Sequence, residues 1–410
     1  MPRYLITNTR LFNGDTVISD STNILIENGR IAQISETQPP TLPPETITID
    51  GSGKTLIPGL IDAHVHAFRE ELFLKRAIKY GVTTVLDMHN EPTWFRYLKN
   101  IADERDDVAD IRSACHAATV KDGWPATLVR VTAKDDSIEE LIGKWPDLTR
   151  PEAAEEYVTT TIDSGASYIK LFLESGEGFD MPFPVRPLPT PTAEVQKAVV
   201  QAAHKYDKIT VAHAVDLKST KQALAVGVDG LSHSCAESID QECIDAFKRN
   251  NAFVISTLTV HASGSGEEQE SREWFSRNLP DDEKEKLSSC LKFTHPPILM
   301  KNACETIRKL KDAGIDIVCG TDSSLPFPGL LSGVSLHHEL WLCVNRCGLT
   351  PLEALRSATG ITSRRMQIPD RGIIKEGMPA DIVLVNGDPT RNIEALDEIV
   401  GVWRNGEKFG

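Results

Sequence analysis

The first 56 residues alternate apolar and polar positions in short runs. Stretches 4–7 and 23–26 are β-rich, and Asn13-Gly14 and Asn28-Gly29 are hairpin signals. Residues 39–44 form a proline-rich loop. From about 58 to 365 the pattern changes to runs rich in Val, Ile and Leu separated by helix-like segments such as 193–206 and 301–313. Eight runs read as strands: 61–66, 82–88, 111–117, 168–173, 209–213, 230–234, 252–257 and 315–321. Eight such units predict an α/β fold, a closed (β/α)8 TIM barrel over 58–365, with a doubly wound open sheet as the alternative. Strand patterns return over 372–410, so the chain ends, 1–57 and 366–410, are expected to pair as one small composite β-sandwich domain.

Two connections stand out by length, roughly 119–165 and 258–300. Long loops at the C-terminal face of a barrel shape active sites. The second holds Ser263-Gly264-Ser265-Gly266 and a charged helical stretch, 281–286, and reads as a mobile lid or as a solvated surface excursion.

The chain has 410 residues, 40% hydrophobic and 25% charged, enough to bury a sizeable core. A net charge of -15 and the lack of basic runs disfavour nucleic-acid binding. The eight cysteines include no C-x-x-C pair, and the N-terminus lacks the apolar stretch of a signal peptide. No apolar run is long enough to span a membrane. A cytoplasmic enzyme acting on a small-molecule substrate, with no nucleic-acid or membrane partner, is the expectation.

Candidate chemistry clusters at the ends of the expected strands. In Ile61-Asp62-Ala63-His64-Val65-His66 the strand period of two points both histidines to one face, where they can share one metal at about 2.0–2.1 Å. His213 and His233 end two further strands and are either ligands or satisfied buried histidines. Asp322, after Gly320-Thr321, can bind metal and take a proton from water, or cap the segment that follows. Lys170 lies inside Tyr168-Ile169-Lys170-Leu171-Phe172. Either it sits on a polar strand edge, or it faces the core, where desolvation makes its amine nucleophilic enough to take up carbon dioxide as a carbamate.

This set resembles the amidohydrolase superfamily in its binuclear metal branch. Asp62-Ala63-His64-Val65-His66 is similar to the first-strand D-x-H-x-H pattern, and Lys170 to the carboxylated lysine of strand four. His213, His233 and Asp322 match the ligands of strands five, six and eight. The stretch Gly377-Met378-Pro379-Ala380-Asp381-Ile382-Val383-Leu384 is similar to the tail that rejoins the β-sandwich. Gly81-Val82-Thr83-Thr84-Val85-Leu86-Asp87 and Gly348-Leu349-Thr350-Pro351-Leu352-Glu353-Ala354 narrow the resemblance to the imidazolonepropionase-related group, with its prolidase-like and ochratoxinase-like amidases. Ser232-His233-Ser234 departs from the Glu-His-Gly of many relatives.

The resemblance implies two divalent metal ions, zinc above all, and an amide substrate: peptide-like, N-acyl amino acid or cyclic. His64, His66 and Asp322 are expected to hold a buried ion, His213 and His233 an outer one, and carboxylated Lys170 with a hydroxide to bridge them. The hydroxide attacks the carbonyl, and Asp322 is the catalytic proton carrier. Nearby His89, His116 and His261 are candidate substrate contacts, and Trp124, Phe172 and the loop 325–331 candidate apolar lining. Relatives are often homo-oligomers. A metal-dependent decarboxylase or deaminase on the same barrel is the alternative reaction, and a non-catalytic scaffold the alternative class.

Overall fold

The computed structural model describes residues 1–37, 42–133, 137–325 and 327–409. Residues 39–41 of the proline-rich loop and Pro326 of the apolar loop lie outside them. Five strands form before residue 59: β1 (Tyr4–Phe12), β2 (Val17–Glu27), β3 (Arg30–Ser35), β4 (Ile47–Asp50) and β5 (Lys54–Pro58). Strands then alternate with helices: β6 (Leu60–His66), β7 (Val82–Asp87), β8 (Asp110–Ser113), β9 (Ile169–Phe172), β10 (Thr210–His213), β11 (Gly230–Leu231), β12 (Phe253–Ile255), β13 (Ile317–Val318) and β14 (Ser323–Ser324). β15 (Ile382–Asn386), β16 (Ile399–Arg404) and β17 (Glu407–Phe409) complete the set.

Each of the eight expected strands is present as β6 to β13. Most are shorter than the apolar run that signalled them, because the C-terminal residues leave the ladder. Two parallel sheets result, in the orders β13-β12-β11-β10-β9 and β14-β6-β7-β8. Backbone bonds join their edges. Ala118 N–H donates to Lys170 O at 2.7 Å and Phe172 N–H to Ala118 O at 3.0 Å, while across the other edge Ala63 N–H donates to Cys319 O at 3.0 Å. Gly320 permits that second approach, since a Cβ there would lie 2.7 Å from His64 N.

Side chains alternate along these strands between two cores. Ile169, Leu171, Ala212, Val254 and Ile317 pack outward in the cluster shared with the helices. Ile61, Ala63, Tyr168, Val211, Phe253, Ile255 and Val318 form a separate inner cluster. By this parity Lys170 points inward, and it is 0% exposed, so it is not on a polar strand edge. The β6–β7 register shifts between Asp62 and Val65. That shift lets His64 and His66 face the same interior as Ile61 and Ala63.

Both chain ends contribute to one eight-stranded sheet, ordered β17-β16-β15-β5-β1-β2-β3 with β4 beside β1. It encloses its own apolar cluster, including Ile6, Ile24, Leu56, Ile382 and Trp403.

The long connections differ from their expectations in one respect. The 119–165 segment carries helices Ala126–Thr132, Ser137–Ile142 and Ala154–Asp163. The 258–300 segment opens with helix Leu258–Ser265, whose Ser263 and Gly264 are buried, so this part is packed core rather than a solvated excursion or a lid. The charged stretch does form an outer helix, Asp281–Ser288. A third long connection, 174–192, was not anticipated. Among the described residues no helix is long and apolar enough to cross a membrane.

Candidate metal centre

His64 and His66 project from β6 toward Asp322, which follows β13. Their Nε2 atoms lie 3.3 and 3.1 Å from Asp322 Oδ1. Two ligands of one tetrahedral ion at about 2.0–2.1 Å would stand about 3.3 Å apart, so this spacing suits a shared cation. His233 joins the group: ligand atoms of His64, His233 and Asp322 lie within 4.8 Å of one another. His213 is next, its ring 4.5 Å from that of His233. Lys170 lies in the same pocket and donates from Nζ to Ser232 Oγ. Among the described residues no carboxylate lies within ion-pair distance of Lys170 Nζ. The six expected ligands are therefore brought together, with His233 between the inner and outer groups.

Each ring is held by a hydrogen bond on the far side. His64 Nδ1–H donates to Ser232 O at 2.9 Å, and His66 Nδ1 lies 3.4 Å from His89 O. His233 Nδ1 pairs with Thr257 Oγ1 at 2.9 Å. Ser232 thus meets His64 through its backbone carbonyl and Lys170 through its hydroxyl, and only the second contact depends on its being serine.

Asp322 has φ +58°, in the left-handed region that Asp tolerates better than most residues. Its N–H donates to His64 O at 2.8 Å. The preceding Thr321 is gripped by Asp62, which accepts from Thr321 N–H at 3.0 Å and Oγ1–H at 2.7 Å. Glu339, from helix Val334–Asn345, accepts from Leu258 and Thr259 N–H at 2.8 and 2.7 Å and braces the end of β12.

Burial dominates the electrostatics. It holds His64 and His233 well below the ordinary imidazole value and lowers His213 to about 3, so all three are neutral with a lone pair to offer. Burial also opposes protonation of His66, but the hydrogen bond and charge of Asp322 prevail and raise it. Asp322 is the reverse case: burial resists its ionisation, yet His64, His66 and Lys170 hold it well below the carboxylate range. Burial lowers the Lys170 amine to about 7. Three neutral imidazoles, an anionic carboxylate and an amine with a substantial neutral fraction form a donor set suited to borderline divalent cations.

The candidate substrate contacts separate. His89 Nδ1 accepts from Ala117 N–H at 3.1 Å, which leaves Nε2 as the protonated nitrogen of a neutral ring. That Nε2 is buried and has no partner. His116 lies 3.1 Å from Glu91 Oε1, which also accepts from Trp145 Nε1–H at 2.7 Å. His261, on helix Leu258–Ser265, has its ring 6.1 Å from His233 and a buried Nε2 without a partner. Trp124 stands 5.4 Å from the His213 ring and stacks on Phe179 at 5.2 Å. Phe172 lies 5.7 Å from His213, and Phe183, Phe293 and Phe327 join the same apolar cluster.

Glu174, which sequence reasoning missed, is 1% exposed, and its Oε2 lies 3.1 Å from His213 Nε2. Burial raises its carboxyl to about 8. A signal existed: Lys170, Phe172 and Glu174 share the parity of the inward face.

A crystal structure of a Xaa-Pro dipeptidase with bound methionine matches this chain with a TM-score of 0.77 at 23% identity, covering 99% of both chains. The crystal structure of Aspergillus niger ochratoxinase matches with a TM-score of 0.74 at 20% identity, over 99% of this chain and 95% of that one. At these identities the likeness concerns the fold. In sequence, A. niger ochratoxinase is 24% identical over 225 residues, 53% of this chain and 41% of that protein's length. The match thus spans less than half of that relative. The family model described as the amidohydrolase family matches residues 55–408. The chain belongs to the amidohydrolase family.

Proposed function

We propose that this protein is a metal-dependent hydrolase that cleaves an amide bond in a bulky, apolar small molecule. The observation that carries the reading is the convergence of His64 and His66 Nε2 on Asp322 Oδ1 beside a fully buried Lys170. On this reading the two parallel sheets are one closed (β/α)8 barrel over 58–365, and residues 1–57 and 366–410 form a composite β-domain. His64, His66 and Asp322 would hold one ion and His213 and His233 a second, with zinc the natural choice for imidazole and carboxylate donors. Lys170 would join the two as a carbamate. Its neutral Nζ attacks carbon dioxide, an N–C bond forms, and one proton leaves to solvent.

Asp322 is a weak base, so the water it deprotonates must first be acidified; two bound cations supply that acidity and polarise the scissile carbonyl. Asp322 then passes its proton to the leaving nitrogen, which departs as a neutral amine. His89 donates its unpartnered Nε2–H to a substrate oxygen, and Trp124, Phe172 and Phe179 contact an apolar substituent.

Zinc-loaded protein should be incubated with dipeptides, N-acyl amino acids, aryl amides, lactams, lactones and aromatic acids, with products read by mass spectrometry. Uptake of one water per cleavage, lost on chelation and restored by zinc, is expected. Loss of carbon dioxide from an acid would move the assignment to a decarboxylase.

His89→Asn tests the donor. The Asn carbonyl can still accept from Ala117 N–H, but nothing replaces the Nε2 donor. A fall in kcat/KM of about 10–100-fold with unchanged metal content is expected, the cost of an unmade buried hydrogen bond. Unaltered kcat/KM would remove His89 from the substrate site.

A further inference from the structure

The connection 174–192 is closed on itself. Leu188 N–H donates to Ser175 O at 2.7 Å across its neck, and Phe183 N–H to Met181 O at 2.8 Å within it. Arg186 laces the loop together: Nη1 donates to Gly176 O, and Nη2 to Phe179 O at 2.8 Å and to Met181 O. The same guanidinium lies 5.1 Å over the Phe183 ring. Gly176, at φ +72°, makes room for Phe183 and Leu188, whose side chains come within 3.0 Å of where a Cβ would stand.

The loop so folded presents rings to the site. Phe179 stacks on Trp124 with centroids 5.2 Å and planes 23° apart, and Phe183 meets the same indole edge-on at 6.3 Å. Trp124 lies 5.4 Å from His213 at 30°, and Phe179 lies 5.2 Å from Phe293 at 28°. The segment of Phe293 is tied to the loop by its backbone: Asp180 N–H donates to Phe293 O at 2.6 Å and His295 N–H to Gly178 O at 3.3 Å. Near-parallel faces therefore run from buried His213 to half-buried Phe293. A planar aromatic group gains more from such faces than an aliphatic group of equal area, because rings prefer offset or edge-on contact with rings.

We propose that Arg186 is a positioning residue for substrate selection: it folds 174–192 into an aromatic wall beside His213, and that wall selects amides carrying a planar aryl group. The proposal rests on the amide-hydrolase reading above.

The test uses the full zinc-loaded chain. Phenylacetyl and acetyl amides of one amine, and anilides and methylamides of one acid, place an aryl group on either side of the scissile bond. On one side the aryl group is expected to raise kcat/KM about 30–1000-fold over its methyl counterpart. Arg186→Met keeps the stem but offers no donors. It should lose about 10-fold or more of that preference, through KM, with zinc content and turnover of the methyl counterpart unchanged. Arg186→Lys, which keeps the charge without the fork, should fall between. Benzyl alcohol, which cannot be hydrolysed, probes the wall directly: calorimetry should show it bound more tightly by the unaltered protein than by Arg186→Met. If Arg186→Met does not fold, Arg186→Lys takes its place in both measurements. Equal preference in the variant and the unaltered protein would overturn the role of Arg186. Cleavage without any aryl preference would overturn the wall and leave the amide reading standing. No cleavage of any amide would remove the amide reading, and equal binding of benzyl alcohol by both proteins would then remove the wall as well.

Discussion

Asp322→Asn should reduce kcat by at least about 10³-fold while leaving the fold intact, because the proton carrier proposed at Asp322 would be worth roughly 10²–10⁴ in rate and the proposed anionic ligand would be lost with it. Asn is the informative replacement. Asp322 sits at φ +58°, and Asn adopts that region more readily than Ala would. The amide oxygen can still accept from His66 Nε2–H, so that hydrogen bond survives. The measurement is kcat alongside metal content and thermal unfolding. Near-normal turnover in a folded variant would sink the role given to Asp322.

Lys170→Met should have two effects of opposite sign. Activity should fall by a comparable factor, since neither the proposed carbamate nor its amine precursor could form. The metal-free protein, however, should become more stable at pH 7, by on the order of a few kcal/mol. The reason lies in protonation. Burial lowers the Lys170 amine from 10.5 to about 7. Below pH 7 the amine is protonated in both folded and unfolded chains, and the folded chain bears the full cost of a buried charge. Between about 7 and 10.5 the unfolded chain holds a proton that the folded chain has released, so the stability of the unaltered protein rises with pH relative to the variant. The advantage of Lys170→Met should accordingly shrink from pH 7 to pH 9.5. Denaturant unfolding of both metal-free proteins at the two pH values checks this. A variant that is less stable at pH 7, or a gap that does not change, would contradict it.

Much of this arrangement is legible from residue order. Runs rich in Val, Ile or Leu mark most of the eight strands, because buried parallel strands have no polar face to interrupt them. The strand ends are not legible, because residues such as 232–234 and 319–321 leave the ladder to line the site, and their composition does not change where they do so. His64 and His66 are found by the period of two. The same period shows that Lys170 shares a face with Tyr168 and Phe172, but not that this face is interior. Either orientation fits the local pattern, and the resemblance to a family supplied the choice that burial bears out. Glu174 keeps the parity of Lys170 but lies two positions past the end of β9, and its meaning depends on His213, a residue on the neighbouring strand. Asp62 and Glu339 escaped functional reading for the same reason: a buried carboxylate is informative only once its donors are known.

The sheet built from both chain ends also constrains the order of assembly. Thr55 Oγ1 donates to the Gly387 carbonyl across 332 residues of sequence, and β5 finds its antiparallel neighbour only in β15. While the chain emerges from the ribosome, β5 therefore waits with a bare hydrogen-bonding edge until β15, beginning at Ile382, has been made. Closing so long a loop costs little more entropy than closing one half its length, because the cost grows only logarithmically. The penalty falls instead on time: one edge of the N-terminal sheet stays open to other nascent chains until β15 arrives.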